Sequence, residues 1–447
     1  MDLDLSTKML TEIKVALPNI REWFKKTQLK FGWSRCYAKE SEESPWATAE
    51  SLLGLYFLGE PLNSLAIRRG FLYYFHNFPE KKYWNELVWN PRTIDALPWS
   101  IEALALGRSN MCKKLYEEAL SALIERGSKC GRYWPDDSVM VLYTCAMTLK
   151  ALHLINGKRE LQELQEYLVS ELRKWKAYDG GYGTQVGDRE SDPCYTAHIL
   201  EAFLDIGATD QKEIEILTNI IKKKRKKDGG WNNGAITFPD ETLGVSPEES
   251  NVEATSQCVV ALLKSGEPLN SEYIVDGIKW LLNPKLRNSD YGFRLTETTE
   301  VRNFATYYAA YAFLHYNILA EFYRRYQDIL KDIELDNRVR RLLHNLAFDK
   351  YFSQLKLRDV NLNILKFSGD FPRRLFSTKE GAAKRRLQIL SLLDEHPMTT
   401  LELTKAMGLN PRTAETKVKE DIKFLVEAGL VFEESPGSYW TILDVEL

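Results

Sequence analysis

The residues that most directly suggest chemistry form the short motif Asp192-Pro193-Cys194. A carboxylate two residues before a thiol offers two donors of the kind that zinc binds, but zinc needs three or four ligands that converge. His198 follows only one helical turn after Cys194, and His315 lies at the far end of another predicted helix. Because these residues do not complete a ligand set, the sequence predicts no bound metal and no cofactor.

Two arrangements of carboxylates are also candidates for catalysis. Asp136 and Asp137 are adjacent, with Trp134 two positions ahead of them. Asp95 and Glu253 are a possible acid–base pair of the glycosidase type, which requires two carboxyl groups at a defined separation. Carboxylates at helix starts and in loops are commoner without catalysis than with it. We therefore predict no catalytic residue and favour a protein that is not an enzyme.

A repeated unit must position all of these residues. Its clearest copy is the turn Asp228-Gly229-Gly230-Trp231, which ends one helix and is followed by a second helix rich in small residues. Six copies about 50 residues apart predict an array of helical hairpins. Six hairpins close an α/α toroid, with the small-residue helices inside. The other copies of the turn lie at Phe31-Gly32-Trp33, near Trp84–Trp89, and at Gly131–Trp134, Gly180–Gly183 and Tyr291–Phe293.

These turns and inner helices resemble the terpenoid cyclase and protein prenyltransferase-like toroids over about residues 10–318. The resemblance implies an (α/α)6 toroid and, for the prenyltransferase β subunits, zinc held by an Asp-x-Cys pair and a histidine one repeat later. The helix at 251–263 contains no histidine. The cyclases need an Asp-x-Asp-Asp acid, and here Trp134 stands where the first aspartate should be. We therefore expect neither proton-initiated cyclisation nor a complete zinc set.

Alignment of the repeats predicts which side chains line the toroid. Six inner helices place one residue each near the start of the helix and another one turn deeper. The predicted lining is aromatic with a few polar groups, a composition typical of ligand pockets. An open cavity and a ring plugged by these same side chains are both consistent with the pattern. The predicted lining residues are Trp46, Glu50, Asp95, Trp99, Tyr143, Cys194, His198, Glu253, Gln257, Phe304 and Tyr308.

The chain after the repeats has a different character. We predict domain boundaries at 1–318 for the toroid, 319–378 for a basic helical connector and 379–447 for a small winged helix. Predicted helices at 384–395, 400–407 and 411–428 precede two predicted strands around Ser435–Ser438. Three helices followed by a hairpin resemble the winged-helix fold.

The predicted third helix of this domain carries polar and basic side chains suited to phosphates and base edges. Residues 382–447 nevertheless hold eight Lys/Arg against eleven Asp/Glu. Winged helices also serve as protein-interaction modules, and that alternative stays open beside DNA binding. The predicted DNA-binding residues are Arg412, Thr413, Thr416, Lys417 and Lys419, with Lys384, Arg385 and Arg386 from the first helix.

Composition limits the remaining possibilities. The net charge of −3 gives no general attraction to nucleic acid, and no run approaches the ~20 apolar residues of a membrane span. Six scattered cysteines without a Cys-x-x-Cys pair suggest reduced thiols in the cytoplasm. The leading hypothesis is a cytosolic regulator whose non-catalytic toroid binds a hydrophobic small molecule or a protein and whose winged helix binds double-stranded DNA. The alternatives are an enzyme acting on an isoprenoid-like substrate in the toroid, and a protein–protein scaffold.

Overall fold

A computed structural model of the chain describes most of the helical residues and part of the loops. It divides them into two compact units, one within residues 5–263 and 269–317 and the other within residues 264–268 and 318–447. In the described ranges, no helix is both long enough and apolar enough to cross a membrane. The described residues are 7–34, 43–62, 64–77, 96–106, 113–129, 140–153, 159–183, 186–233, 248–330, 335–360, 382–393, 398–427, 431–435 and 437–441.

The first unit is an α/α toroid in which outer and inner helices alternate along the chain. The outer helices are α1 (Thr7–Thr27), α3 (Leu65–Asn77), α5 (Lys113–Lys129), α7 (Arg159–Arg173), α9 (Gln211–Lys223) and α11 (Glu272–Leu281). The inner helices are α2 (Pro45–Phe57), α4 (Ala96–Leu106), α6 (Met140–His153), α8 (Pro193–Asp205), α10 (Val252–Lys264) and α12 (Asn303–Leu330).

Hydrophobic patterning separates the two kinds of helix. Outer helix α9 buries Ile214, Leu217, Ile220 and Ile221, which form one stripe at helical spacing. Inner helix α10 is buried on every side from Val252 to Leu263, including its threonine, serine and glutamine. A helix enclosed on all sides needs small residues where neighbours approach closely, which explains the runs of alanine, serine and threonine on the inner helices.

The same hydrogen bond recurs between each described glycine–aromatic turn and the inner helix that follows it. In the fifth repeat the main-chain N–H of Trp231 donates to Oγ1 of Thr255 at 3.0 Å, and both residues are fully buried. We call this contact the threonine bridge. It recurs from Trp33 to Thr48 at 3.1 Å, from Tyr182 to Thr196 at 3.0 Å and from Phe293 to Thr306 at 2.8 Å.

The glycine before the aromatic residue is required by the threonine bridge. A Cβ atom on Gly230 would lie 3.0 Å from Oγ1 of Thr255 and 2.7 Å from Cβ of Ser250. Gly229, one position earlier, has φ of +94°, which non-glycine residues rarely adopt. The two glycines therefore have different roles. Gly229 adopts the positive φ that reverses the chain, and Gly230 allows the turn to approach Thr255 and Ser250 closely.

The ring closes through contacts between its first and last inner helices. Nδ2 of Asn303 on α12 donates to Oγ of Ser51 on α2 at 2.8 Å, across 252 residues of sequence. Both side chains are buried. The predicted closed toroid, rather than an open solenoid, is therefore the architecture of this unit.

The second unit contains the end of α12, then α13 (Asn337–Val360), α14 (Ala382–Leu393), α15 (Thr400–Ala406) and α16 (Pro411–Glu427). Strands β1 (Met398–Thr399), β2 (Val431–Ser435) and β3 (Ser438–Thr441) form an antiparallel sheet in the order β1-β3-β2. Phe432 pairs with Trp440 between β2 and β3. The helices and strands β2 and β3 lie where the sequence predicts helices and strands, whereas β1 was not predicted. The assignment of the segment as a winged helix stays a prediction.

Two arginines of α14 are held by an aspartate of α16. Nε of Arg386 lies 2.9 Å from Oδ1 of Asp421, and Nε of Arg385 lies 2.8 Å from Oδ2 of the same carboxylate. The guanidinium of Arg386 also covers the Phe424 ring at 3.7 Å. Asp421 and Arg386 are buried, so this ion pair fixes the packing of α14 against α16.

The threonine bridge yields a stability prediction. Thr255→Val keeps the shape of the side chain but leaves the buried N–H of Trp231 without its acceptor, so the free energy of unfolding should fall by about 1–3 kcal/mol. Urea unfolding measures the loss. Thr218→Val on outer helix α9 is the matched control, because Thr218 Oγ1 bonds only to carbonyls of its own helix. Equal losses for the two variants would contradict the role of the bridge.

The Asp421 ion pair yields a second prediction. Asp421→Ala leaves the buried Arg386 guanidinium uncompensated and should destabilise the second unit by about 3–5 kcal/mol. Combining Arg386→Met with Asp421→Leu should recover much of that loss, because the buried charge is removed as well and the partly exposed Arg385 can reach solvent. Thermal unfolding of the three proteins tests this, and a double variant no more stable than Asp421→Ala would refute it.

Candidate metal centre

The Asp192-Pro193-Cys194 motif lies at the start of α8. Asp192 is its N-cap: Oδ1 accepts hydrogen bonds from the main-chain N–H groups of Cys194 at 2.8 Å and Tyr195 at 3.0 Å. Its carboxylate therefore satisfies helix donors. The sequence pairs Asp192 with Cys194 as zinc donors, whereas the structure gives this aspartate a helix-capping role.

Three other side chains converge at this position. Cys194 and His198 lie on one face of α8, four residues apart, and Glu253 lies in the first turn of the neighbouring inner helix α10. The Cys194 sulfur, a ring nitrogen of His198 and a carboxylate oxygen of Glu253 all lie within 4.8 Å of one another, and all three residues are buried. The resemblance implies a histidine in the repeat after Cys194, whereas the structure brings Cys194 close to His198 on its own helix and to Glu253 in the next repeat.

The donors fit a zinc-type cation in both geometry and charge. Donor atoms around a tetrahedral zinc are separated by ~3.5 Å, given metal–ligand bonds of ~2.0–2.3 Å. Nε2 of His198 lies 3.9 Å from Oε1 of Glu253, so a small inward movement reaches that spacing. One thiolate, one carboxylate and one neutral imidazole balance the charge of a divalent cation.

The electrostatics of Cys194 agree with a site that responds to metal. Burial, followed by the carboxylates of Glu253 and Asp192, raises the pKa of the Cys194 thiol well above its usual value. Without a cation the residue therefore stays protonated at neutral pH. A bound divalent cation reverses this preference, because it stabilises the thiolate directly.

Asn233 supports the cluster from the loop that follows the Trp231 turn. It lowers the pKa of the Cys194 thiol and so offsets part of the rise, and its Nδ2 lies 3.5 Å from Oε2 of Glu253. Its Oδ1 accepts from the side chain of Asn251. A polar residue that orients both a thiol and a carboxylate is the kind of support that metal ligands receive. Sequence reasoning missed Asn233, which lies two residues after Trp231 in the segment that precedes inner helix α10.

A second polar layer lies one turn further along the same inner helices. Glu201 on α8 is fully buried and binds three donors from three other inner helices. Lys150 Nζ lies 3.2 Å from Oε2, the Tyr311 hydroxyl donates to Oε1 at 2.7 Å, and Gln257 Nε2 donates to Oε2. Burial, followed by the Glu201 charge, raises the pKa of Tyr311 well above its usual value, which keeps the hydroxyl a donor.

Aromatic rings extend from the cluster across the interior. The His198 ring meets Tyr308 at 5.9 Å, Tyr308 meets Tyr307 at 5.4 Å, and Tyr307 meets Trp99 at 5.6 Å. Trp99 in turn lies 6.4 Å from Trp46. We call these five residues the aromatic wall. Edge-to-face packing of this kind gives a rigid apolar surface whose ring faces attract positive charge.

A small cleft of about 10 Å³, room for about one water molecule, adjoins the wall at Tyr307. Ligand pockets are usually larger, ~300–1,000 Å³. The cleft is lined by Gly54, Phe57, Leu58, Tyr307, Ala310, Tyr311 and Leu314.

The remaining predicted lining residues differ in burial, and two of them are not described by the structure. Glu50 and Gln257 are buried on their inner helices like the members of the wall and the cluster, whereas Phe304 is partly exposed. Asp95 lies outside the described residues, as does the side chain of Tyr143, so the glycosidase-type pair with Glu253 stays a prediction. Asp136 and Asp137 also lie outside the described ranges.

The predicted DNA-binding residues fall into three groups. Thr413, Thr416, Lys417 and Lys419 are exposed on α16, and Lys419 lies 2.9 Å from Glu415. The side chains of Arg412 and Lys384 are outside the described set. Arg385 and Arg386 are the carboxylate partners of Asp421, and burial of Arg386 removes it from any phosphate-binding surface.

Comparison with known proteins finds relatives among solved structures only. No protein-family profile matches the chain, and no curated protein matches it. A variant of the type II terpene cyclase MstE from Scytonema, in complex with geranylgeranyl dihydroxybenzoate, is 14% identical with a TM-score of 0.46, covering 69% of this chain and 99% of the cyclase. The GH76A α-1,6-mannanase from Salegentibacter sp. HEL1_6 (11%, TM-score 0.47) and a family 88 glycosyl hydrolase from Bacteroides vulgatus (11%, TM-score 0.48) each cover 69% of this chain and 99% of their own.

These findings correct the leading functional hypothesis. The matched structures are a terpene cyclase, a mannanase and a glycosyl hydrolase, all of them catalytic proteins. None of these structures supports the expectation of a non-catalytic toroid coupled to a DNA-binding regulator, and at 11–14% identity they show the fold alone.

Proposed function

We propose that this chain is an enzyme that binds a zinc-type cation through Cys194, His198 and Glu253 and acts on a hydrophobic, isoprenoid-like substrate in the toroid. The observation that carries the proposal is the convergence of a thiol, an imidazole and a carboxylate within 4.8 Å on the buried inner wall. Sites built from three protein ligands are typical of catalytic zinc, whereas structural zinc sites have four.

The cation supplies Lewis acidity and a remaining ligand position for a substrate group. The protein's own residues do the rest. Asp192 fixes the first turn of α8 and with it Cys194, and Asn233 orients Cys194 and Glu253. Both arrangements reduce the reorganisation needed when the ligands close on a cation.

The substrate class follows from the surroundings of the cluster. The aromatic wall begins at His198 itself and continues to the cleft at Tyr307, so a molecule held at the centre meets aromatic surface. Such surface favours an apolar, unsaturated body over a sugar, which needs many polar partners. Among the described residues of the inner helices that face this region, Lys150 is already paired with Glu201, which argues against a highly anionic substrate.

Zinc content tests the metal centre. Purified protein should bind about one zinc per chain, and Cys194→Ser should abolish this binding, because the serine hydroxyl is a poor zinc ligand. Cys145→Ser is the matched control, since Cys145 is also a buried thiol of an inner helix. Elemental analysis with equal zinc in all three proteins, or with none in the wild type, would overturn the assignment.

Zinc binding to Cys194 should also release a proton. The folded-state pKa of Cys194 is raised, so the thiol is protonated at neutral pH and must lose its proton when the cation binds. Zinc uptake should therefore release about one proton per metal, and affinity should rise about tenfold per pH unit up to the pKa of the thiol. Calorimetry in buffers of different ionisation enthalpy measures this release, and pH-independent binding would contradict it.

Substrate class is tested separately by ligand binding. The zinc-loaded protein should bind geranylgeraniol, because the alcohol's polyene chain can cover the aromatic wall, and should not bind mannotriose. Equilibrium binding of each ligand, followed by mass spectrometry for conversion, distinguishes the two classes. Binding of mannotriose but not of geranylgeraniol would contradict the isoprenoid-like substrate class without contradicting the proposed metal centre.

A further inference from the structure

Gln257 belongs to the second polar layer, one helical turn from the Cys194, His198 and Glu253 cluster. It follows Glu253 by four residues on α10, so both side chains occupy the same face of the helix. On α8, Glu201 follows His198 by three residues. Glu253 approaches His198 and Gln257 contacts Glu201, so the paired faces form two successive rungs between the helices.

The orientation of the Gln257 amide is fixed by its partner. Glu201 already binds the Lys150 ammonium and the Tyr311 hydroxyl, which are both donors and favour an ionised carboxylate. An ionised carboxylate only accepts hydrogen bonds, so the amide must turn its NH2 group toward it. The amide oxygen is thereby directed away from Glu201.

The Gln257 amide oxygen is a buried acceptor whose hydrogen bond remains unmade. Gln257 is fully buried, and within the described residues no donor lies at hydrogen-bonding distance of Oε1. Buried polar atoms are nearly always paired, and one that is both unpaired and locked in orientation calls for an explanation. The Ser256 hydroxyl, its neighbour on α10, shares this burial without sharing the rung arrangement.

We infer that Oε1 of Gln257 accepts a hydrogen bond from the ligand held beside Cys194, His198 and Glu253, and that the ligand's reacting end is therefore an O–H, N–H or S–H group. The inference rests on the proposed function and narrows it. The substrate is an apolar molecule that ends in a donor, such as a polyprenyl alcohol, amine or thiol. Gln257 acts as a specificity residue against ethers, esters and plain hydrocarbons of the same shape.

The physical basis of this selectivity is the cost of leaving a buried acceptor unmatched. A site built to receive a donor discriminates strongly against an analogue that lacks it, because the protein group is left desolvated and unpaired. Lys150, Glu201 and Tyr311 contribute by preventing the amide from rotating to offer its NH2 group instead.

The test compares two probes that differ by one donor: geranylgeraniol and its methyl ether. The wild type should bind the alcohol about ten- to a hundredfold more tightly than the ether. Gln257→Met keeps the length of the side chain and removes the acceptor, so this preference should fall to about threefold or less. Ser256→Ala is the matched control and should keep the wild-type preference.

Glu201→Gln is a second variant in case Gln257→Met does not fold. A neutral amide at position 201 can accept from the NH2 group of Gln257 or donate to its oxygen, so the orientation is released and the preference for the alcohol should weaken. Equal binding of alcohol and ether by the wild type, or an unchanged preference in whichever of the Gln257→Met and Glu201→Gln variants folds, would refute the role of Gln257.

The outcomes separate this inference from the proposed function. If the wild type binds zinc and both probes with equal affinity, the enzyme proposal survives and the Gln257 inference fails. If the wild type binds neither probe, the isoprenoid-like substrate class fails, and the inference fails with it.

Discussion

The bond between a turn N–H and a threonine hydroxyl sets the level of the four inner helices whose turns the structure describes. Thr196 lies two residues after Cys194, and Thr255 lies two residues after Glu253, so each ligand candidate is anchored almost directly by its own bridge. Because the same bond recurs at Thr48 and Thr306, the helices start at equivalent depth. Side chains from repeats that are far apart in the sequence therefore lie at the same depth in the toroid.

This local origin explains why the ring could be predicted from the sequence. The glycine–aromatic turns and the small-residue helices recur with a period that is visible without a structure, and the alignment they imply places Cys194 and Glu253 at one level. The closure of the ring follows from the number of repeats. The winged-helix assignment relies on a shorter segment and on resemblance alone, so it stays a prediction.

The site itself was predicted less well, for identifiable reasons. The family resemblance predicts a histidine in the repeat after Cys194. In the structure, the imidazole near Cys194 is that of His198, one turn along the same helix, and the next repeat contributes the carboxylate of Glu253. Asp192 was read as a donor, although aspartate before a proline at a helix start is equally a cap. In the second unit, Arg385 and Arg386 were read as phosphate ligands, because a sequence does not reveal that Asp421, 35 residues later, lies against them.

The Ser51–Asn303 contact has a consequence for how the chain acquires its structure. In an open array of repeats each unit gains stability from its neighbours, and folding can spread from any point. Here α2 is packed on all sides only when α12 has been made, because Ser51 contacts Asn303, 252 residues later in the sequence. Contacts of such long sequence separation slow folding, because the entropy of closing the loop is lost before the contact stabilises anything. During synthesis, the apolar flank of α2 therefore stays without its final neighbour until about two thirds of the chain has been made, an interval in which association with other chains competes with closure.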